Sequence, residues 1–393
     1  MLIEVRGTGV GRVNKGAELM LRAIVRQRDV WGSGVELVMG PGGGPYRRRA
    51  QLGLYQKLWA GRLGPWAGEL ARMVPARVRH RYGLVTEAEI RGVLDASGFA
   101  YSDQWGPSAA EGLARLSGRW RRQGKRVVLL PQALGPFRDP DVRDAFRRAL
   151  DAVDLVFARD RVSLEYARAL GPSRARVEQA PDFTVSMPGT LPPGYEPRPG
   201  QVAVVPNLRM VDKGEADASD RYVAALAECV RHLRARGYEP FILVHDPTGD
   251  FVMAERLRER TGGELRVVHE DDPAHLKGIL GSCHAVIASR FHALVSAMSQ
   301  AVPSLAMGWS HKYEMLFEDF GADECVVNAA DPAEKVLAQL DRLLQGAERE
   351  RLVRALGENA VVMKENTTRM WDEVARVMGI GAGRAPARGA AAA

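Results

Sequence analysis

Cysteine is scarce in this chain: three among 393 residues, at positions 229, 283 and 325, far apart and outside any metal-type spacing. That excludes a disulfide framework and a zinc site, and it fits a reducing compartment. Long apolar runs are also missing. No stretch approaches the roughly 20 residues that span a bilayer, and the opening MLIEVRG lacks a basic segment followed by an apolar one. The expectation is a soluble, cytoplasmic protein. Aromatic residues make up only 7%, and the formal charge of +7 is spread along the chain, with arginine far outnumbering lysine. With no concentrated basic stripe and no recognition motif, nucleic acid is not expected as a partner.

What is present is a hydrophobic content of 46%, arranged as short apolar runs alternating with longer amphipathic segments. This is the pattern of βα units on a parallel sheet. A chain of this length exceeds one core. The fold class expected is α/β, with two Rossmann-like parallel-sheet domains facing a cleft. Strands are expected at residues 2–6, 35–39, 92–96, 126–130, 154–158 and 176–179, then at 201–206, 240–244, 264–268, 284–288, 302–307 and 324–326. The stretch VSMPGTLPPGYEPRPG, 185–200, reads as a linker between a domain at 1–184 and one at 201–348. A helix at 349–379 is expected to cross back to the first domain, and 380–393 reads as a disordered low-complexity tail. The arginine-rich block 50–82 reads as helical without strand signal: a solvated insertion over the cleft, with a membrane-surface helix as the alternative.

Polar residues gather where expected strands end. In ASRFHALVSAMSQAVPSLAMGWSHKY a strand ends in Arg290 and His292, and a second is followed by Lys312. Carboxyl ends of parallel strands face the ligand crevice, so these three cations should converge on a strongly anionic ligand. In GTGVGRVNKGAE the glycines at 7, 9 and 11 either admit a ligand or serve the turn alone, while Asn14, Gly16 and Glu18 at the helix entry suit hydrogen bonding. In PQALGPF, Gln132 is either presented by a rigid loop or incidental to a turn. Arg159 ends another strand, as an anion ligand or as the partner of Asp160 or Asp182. Asn207, Arg209 and Asp246 follow the first two strands of the second half. A metal at His245 and Asp246 is disfavoured, because adjacent side chains at a strand end do not both face one ion.

These motifs together resemble the polysaccharide pyruvyl transferase family: N-K-G-A-E, P-Q-A-L-G-P-F, A-R-D-R-V-S with A-P-D-F, H-D-P-T-G-D, and S-R-F-H-A with W-S-H-K-Y, in order along nearly the whole chain. The resemblance implies a glycosyltransferase-B-like fold and transfer of the pyruvyl part of phosphoenolpyruvate to sugar hydroxyls, giving a pyruvate ketal. It implies Arg159, His292 and Lys312 as active-site residues. Arg290 would add a bond to the anionic donor, and Asn14, Gly16, Glu18, Gln132, Asp182, Asn207, Arg209 and Asp246 would line the substrate site. Glu18, Asp182 and Asp246 all qualify as the base. Phosphoenolpyruvate is already activated, so no metal or organic cofactor is needed. The acceptor would be a sugar, an oligosaccharide or a lipid-linked saccharide, the last with peripheral membrane association. The segment LDASGFAYSDQWG and Ala17 depart from the family's pattern on the acceptor side. Two other readings stand beside this one: a nucleotide-sugar glycosyltransferase on the same scaffold, and a non-catalytic protein binding acidic glycans or lipid headgroups.

Overall fold

The computed structural model describes residues 1–11, 14–58, 73–208, 216–308 and 311–381. They form two compact units. The first takes Met1–Arg12, Met20–Pro181 and Thr367–Ala393, and the second takes Val13–Leu19 and Asp182–Asn366.

The first unit is built on eight strands: β1 (Leu2–Arg6), β2 (Glu36–Met39), β3 (Tyr55–Lys57), β4 (Leu84–Val85), β5 (Ile90–Asp95), β6 (Arg126–Gln132), β7 (Leu155–Ala158) and β8 (Arg176–Gln179). All neighbours pair parallel, in the order β4-β3-β2-β1-β5-β6-β7-β8. Strands β5 to β7 are buried along nearly their whole length, which is why they read as continuous apolar runs. Its helices are α1 (Lys15–Trp31, from Met20 onward), α2 (Tyr46–Gln51), α3 (Ala76–Arg81), α4 (Ser108–Arg122), α5 (Pro140–Leu150) and α6 (Arg161–Ala169).

The second unit carries β9 (Gln201–Val205), β10 (Glu239–Val244), β11 (Val267–His269), β12 (Ala285–Ala288), β13 (Ser304–Met307) and β14 (Val326–Val327), all parallel, in the order β11-β10-β9-β12-β13-β14. Around them lie α7 (Ala216–Ala235), α8 (Asp250–Arg260), α9 (Pro273–Gly281), α10 (Phe291–Met298), α11 (His311–Phe320), α12 (Ala333–Leu344) and α13 (Gly346–Met378), the last passing to the first unit at Thr367. Its core is one continuous apolar cluster that includes all three cysteines. Burial pushes each thiol up to about 12.

Two expectations need correction. The block 50–82 does contain a strand, β3, whose Gln56 and Lys57 hide it from an apolar pattern and which is held by parallel pairing to β2 and β4. Residues 59–72 of that block lie outside the described residues. The segment read as a loose linker is fastened to the second unit through its first half. Val185 enters the core, Thr190 N–H donates to the Ala274 carbonyl (3.1 Å), and Gly278 of α9 lies directly under the Thr190 backbone, where a Cβ would collide. The division therefore falls at Asp182, and the Pro/Gly content marks a close backbone approach as well as a turn. Of the expected tail, 382–393 lie outside the described residues. No helix among the described residues is long and apolar enough to cross a membrane.

Candidate functional site

In the second sheet the strand order reverses between β9 and β12, the position where open parallel sheets bind ligands. The two strand ends there are tied together by buried polar groups. Asn207 Nδ2 donates to the Ser289 carbonyl (2.8 Å), and the Asn207 N–H donates to the Tyr222 hydroxyl (3.1 Å). That hydroxyl donates onward to Ser289 Oγ (2.8 Å), and the Tyr313 hydroxyl donates to the Ser289 carbonyl (2.9 Å). Burial raises the Tyr222 hydroxyl above its ordinary range, so it remains a donor. Asn207, expected as a substrate contact, braces the floor of the crevice.

Arg290 follows β12, and its guanidinium turns toward the loop after β10. It pairs with the fully buried Asp250 and lies 3.4 Å from Asp246 Oδ2. H-D-P-T-G-D closes as a turn in which Asp250 accepts the Asp246 N–H (2.9 Å) and Asp246 accepts the Thr248 N–H (3.1 Å). Burial holds the Asp250 carboxyl above its usual range against the pull of Arg290. Arg290, expected to meet an anionic ligand, is balanced in place by carboxylates 40 and 44 residues away in sequence. His245, just before the turn, is buried, and its Nδ1 has no hydrogen-bond partner among the described residues. Burial, then Arg290, His292 and Lys15, push its imidazole well below the ordinary range, so it is neutral.

His292 sits in the first turn of α10. Its Nε2 lies 3.4 Å from Asp182 Oδ2. The opposite side of the ring presses on Gly16, where any Cβ would overlap Nδ1 and Cγ. Asp182 is itself anchored, Oδ1 accepting from the Thr184 N–H (3.0 Å) and hydroxyl (2.5 Å). Asn14 Oδ1 accepts the Gly16 N–H (3.1 Å), a capping contact at the start of α1. Buried Lys15 pairs with Asp271 (2.8 Å), and Glu18 is buried one turn further on. Lys312 Nζ lies 5.1 Å from the centroid of the Tyr313 ring, a cation–π distance. Arg209 lies outside the described residues.

The N-K-G-A-E and A-P-D-F motifs thus meet S-R-F-H-A around one imidazole. The sequence pattern does not single out Lys15, Tyr222 or Tyr313, and it places His245 at a strand end while disfavouring it as a metal ligand. Lys15 stood between two residues chosen as site candidates, and that position was the available signal.

In the first unit, Gln132 ends β6 and Arg159 follows β7, with the Arg159 N–H donating to the Gln132 carbonyl (3.0 Å). Gln132 is fully buried, and neither its amide oxygen nor its nitrogen has a partner among the described residues. Arg159 is buried as well. Asp160 caps α6 by accepting from the Ser163 N–H (2.7 Å) and hydroxyl (2.9 Å), and Ser163 Oγ accepts the Leu134 N–H (2.9 Å), which fixes the loop after Gln132. In the loop after β1, Gly7 adopts φ +75° against Ser97, so its glycine serves the turn.

A family model described as polysaccharide pyruvyl transferase matches residues 76–311, more than half of the chain, and the chain belongs to that family. Among solved structures it is similar to Anabaena HepE in complex with UDP-glucose, at 11% identity and a TM-score of 0.58 over 96% of this chain and 99% of that one. It is similar also to the UDP-GlcNAc 2-epimerase of Neisseria meningitidis bound to UDP-GlcNAc, at 8% identity and a TM-score of 0.61 over 96% of this chain and 100% of that one. The Thermobaculum terrenum O-GlcNAc transferase matches at 15% identity and 0.51 over 96% of this chain and 67% of that one. At such identities the likeness concerns the fold, two parallel α/β sheets of the glycosyltransferase-B-like kind.

Proposed function

From membership in the polysaccharide pyruvyl transferase family, we propose that this protein transfers the pyruvyl group of phosphoenolpyruvate to two hydroxyls of a sugar or polysaccharide precursor, forming a pyruvate ketal and releasing phosphate. The observation that carries the reading is the held imidazole: His292 lies between Gly16 and Asp182, with neutral His245 and the Arg290 ion pair as its neighbours. An imidazole set against a carboxylate is suited to holding and moving a proton.

The steps follow from the donor. His292 delivers a proton to the methylene carbon, converting it to a methyl and leaving an oxocarbenium-like centre at the carbon bearing phosphate and carboxylate. One sugar hydroxyl attacks that carbon and loses its proton. The second hydroxyl displaces phosphate and loses its own, closing the ketal. One of the two hydroxyl protons replaces the one given to the methylene, and the other accompanies phosphate. Asp182, held by Thr184 and facing His292, acts as the orienting carboxylate, which leaves Glu18 and Asp246 to take hydroxyl protons. By family resemblance, Lys312 and Arg159 bind the phosphate and carboxylate of the donor.

A nucleotide-sugar glycosyltransferase is the competing reading, because the structural neighbours were solved with UDP-glucose and UDP-GlcNAc. A thermal-shift panel separates the two. Phosphoenolpyruvate at millimolar concentration should raise the melting temperature by mass action on the folded state, and UDP-sugars should do less. Stabilisation by UDP-sugars without any by phosphoenolpyruvate overturns the pyruvyl-transfer reading.

A further inference from the structure

Lys277 has no part in the chemistry described so far. It lies in the run L-K-G-I-L of α9, 1% exposed, with Leu276, Gly278, Ile279 and Leu280 buried around it. An ammonium taken out of water is costly, and a methionine of similar length would fill the same space without that cost. The lysine therefore calls for a use of its charge.

Its Nζ donates to the Thr184 carbonyl (2.7 Å). Thr184 in turn gives both its N–H and its hydroxyl to Asp182 Oδ1, and Asp182 Oδ2 faces His292 Nε2 at 3.4 Å. Asp182 is the negative charge acting on Lys277, and Lys364 is the positive one. The same segment is seated on α9 a second time, through Thr190 N–H on the Ala274 carbonyl and the Thr190 backbone on Gly278. Lys277, Thr184, Asp182 and His292 thus form a continuous line, all within the second unit.

We propose that Lys277 is a positioning residue for His292: its ammonium fixes the turn at 182–184 and faces the charge of Asp182, so that Asp182 holds the imidazole in one orientation. The proposal rests on the reading of His292 as the acid. Burial outweighs the attraction of Asp182 and brings the Lys277 ammonium down to about 7, so its charge is complete only below neutral pH, whereas the hydrogen bond to the Thr184 carbonyl can be donated by either form.

The test uses Lys277→Met, which removes charge and hydrogen bond, and Lys277→Gln, which keeps a donor without the charge. Two readouts are taken: the ring ¹⁵N signals of His292, assigned with His292→Asn, and initial rates of phosphate release from phosphoenolpyruvate with a sugar acceptor. In both variants the His292 ring signals should move. Turnover should fall roughly tenfold to a hundredfold, the scale of a small misplacement at a reacting centre, with KM for phosphoenolpyruvate within about twofold of wild type. His292 signals that coincide with wild type in the folded variants overturn the proposal. So does a rate loss that Lys277→Gln fully restores, since the hydrogen bond alone would then suffice. If Lys277→Met does not fold, Lys277→Gln decides. If the wild-type protein releases no phosphate, the transfer reading fails on its own, and the His292 signals still decide the role of Lys277.

Discussion

Position 16 has no side chain because the ring of His292 occupies the place where one would go. The glycine at the entry to α1 is therefore a steric partner of the imidazole, and its consequence is measurable. Gly16→Ala adds one methyl group that must push the ring away from its seat, while the helix itself gains from alanine by about 0.5–1 kcal/mol in intrinsic propensity. The expected enzyme melts close to wild type yet turns over at least tenfold more slowly, as a small displacement at a reacting centre predicts. Equal turnover in the folded variant would mean that the ring position does not matter. The sequence offered Gly16 and His292 as candidates for one site but did not show that they touch, because 276 residues separate them. Arg290 was harder still. Its charge looks free in the motif S-R-F-H-A, and only the fold brings Asp250 and Asp246 to it.

At the scale of elements, buried parallel strands were legible wherever hydrophobic runs were unbroken, as in β9, β12 and β13. Strand order was not legible, since the reversal between β9 and β12 is a matter of tertiary pairing. Nor was β3, whose Lys57 enters an ion-pair network with no apolar signature. Lys57 bridges Glu4 (2.8 Å) and Glu87, and Glu87 also meets Lys125 (2.8 Å) and Arg119 (3.2 Å). Burial would push the Glu87 carboxyl up, but hydrogen bonds from Lys125 and Lys57 bring it down to about 2. A depressed carboxyl contributes stability that is complete above its unfolded value near 4.5 and is lost as pH falls toward about 2. Glu87→Gln should therefore cost about 2 kcal/mol at neutral pH, and the difference from wild type should shrink steadily as pH falls through that acid window. Denaturant titrations at pH 7 and near pH 2.5 check both halves. A difference that persists undiminished in acid would show that packing, not charge, sets the contribution of Glu87.

At the scale of the whole molecule, the chain holds two cores, each with its own sheet, and the cysteines are confined to one of them. Cys229, Cys283 and Cys325 all belong to the second unit, buried and pushed up to about 12. At neutral pH such thiols carry almost no thiolate, the form that reacts with alkylating reagents. The described tryptophans Trp31, Trp105, Trp120 and Trp371 belong to the first unit. The protein therefore contains two intrinsic reporters with different addresses: alkylation by iodoacetamide registers opening of the second core, and tryptophan emission registers mainly the first. Followed together through a urea series, coincident transitions would identify a single cooperative unit, and separated ones two independently melting halves. The expected outcome is a split, with thiol labelling protected by phosphoenolpyruvate to higher urea than the emission change, because the proposed acid and its supports all lie on the cysteine-bearing side. Labelling that proceeds in native buffer at the rate of free cysteine would show that the second core is open without any denaturant.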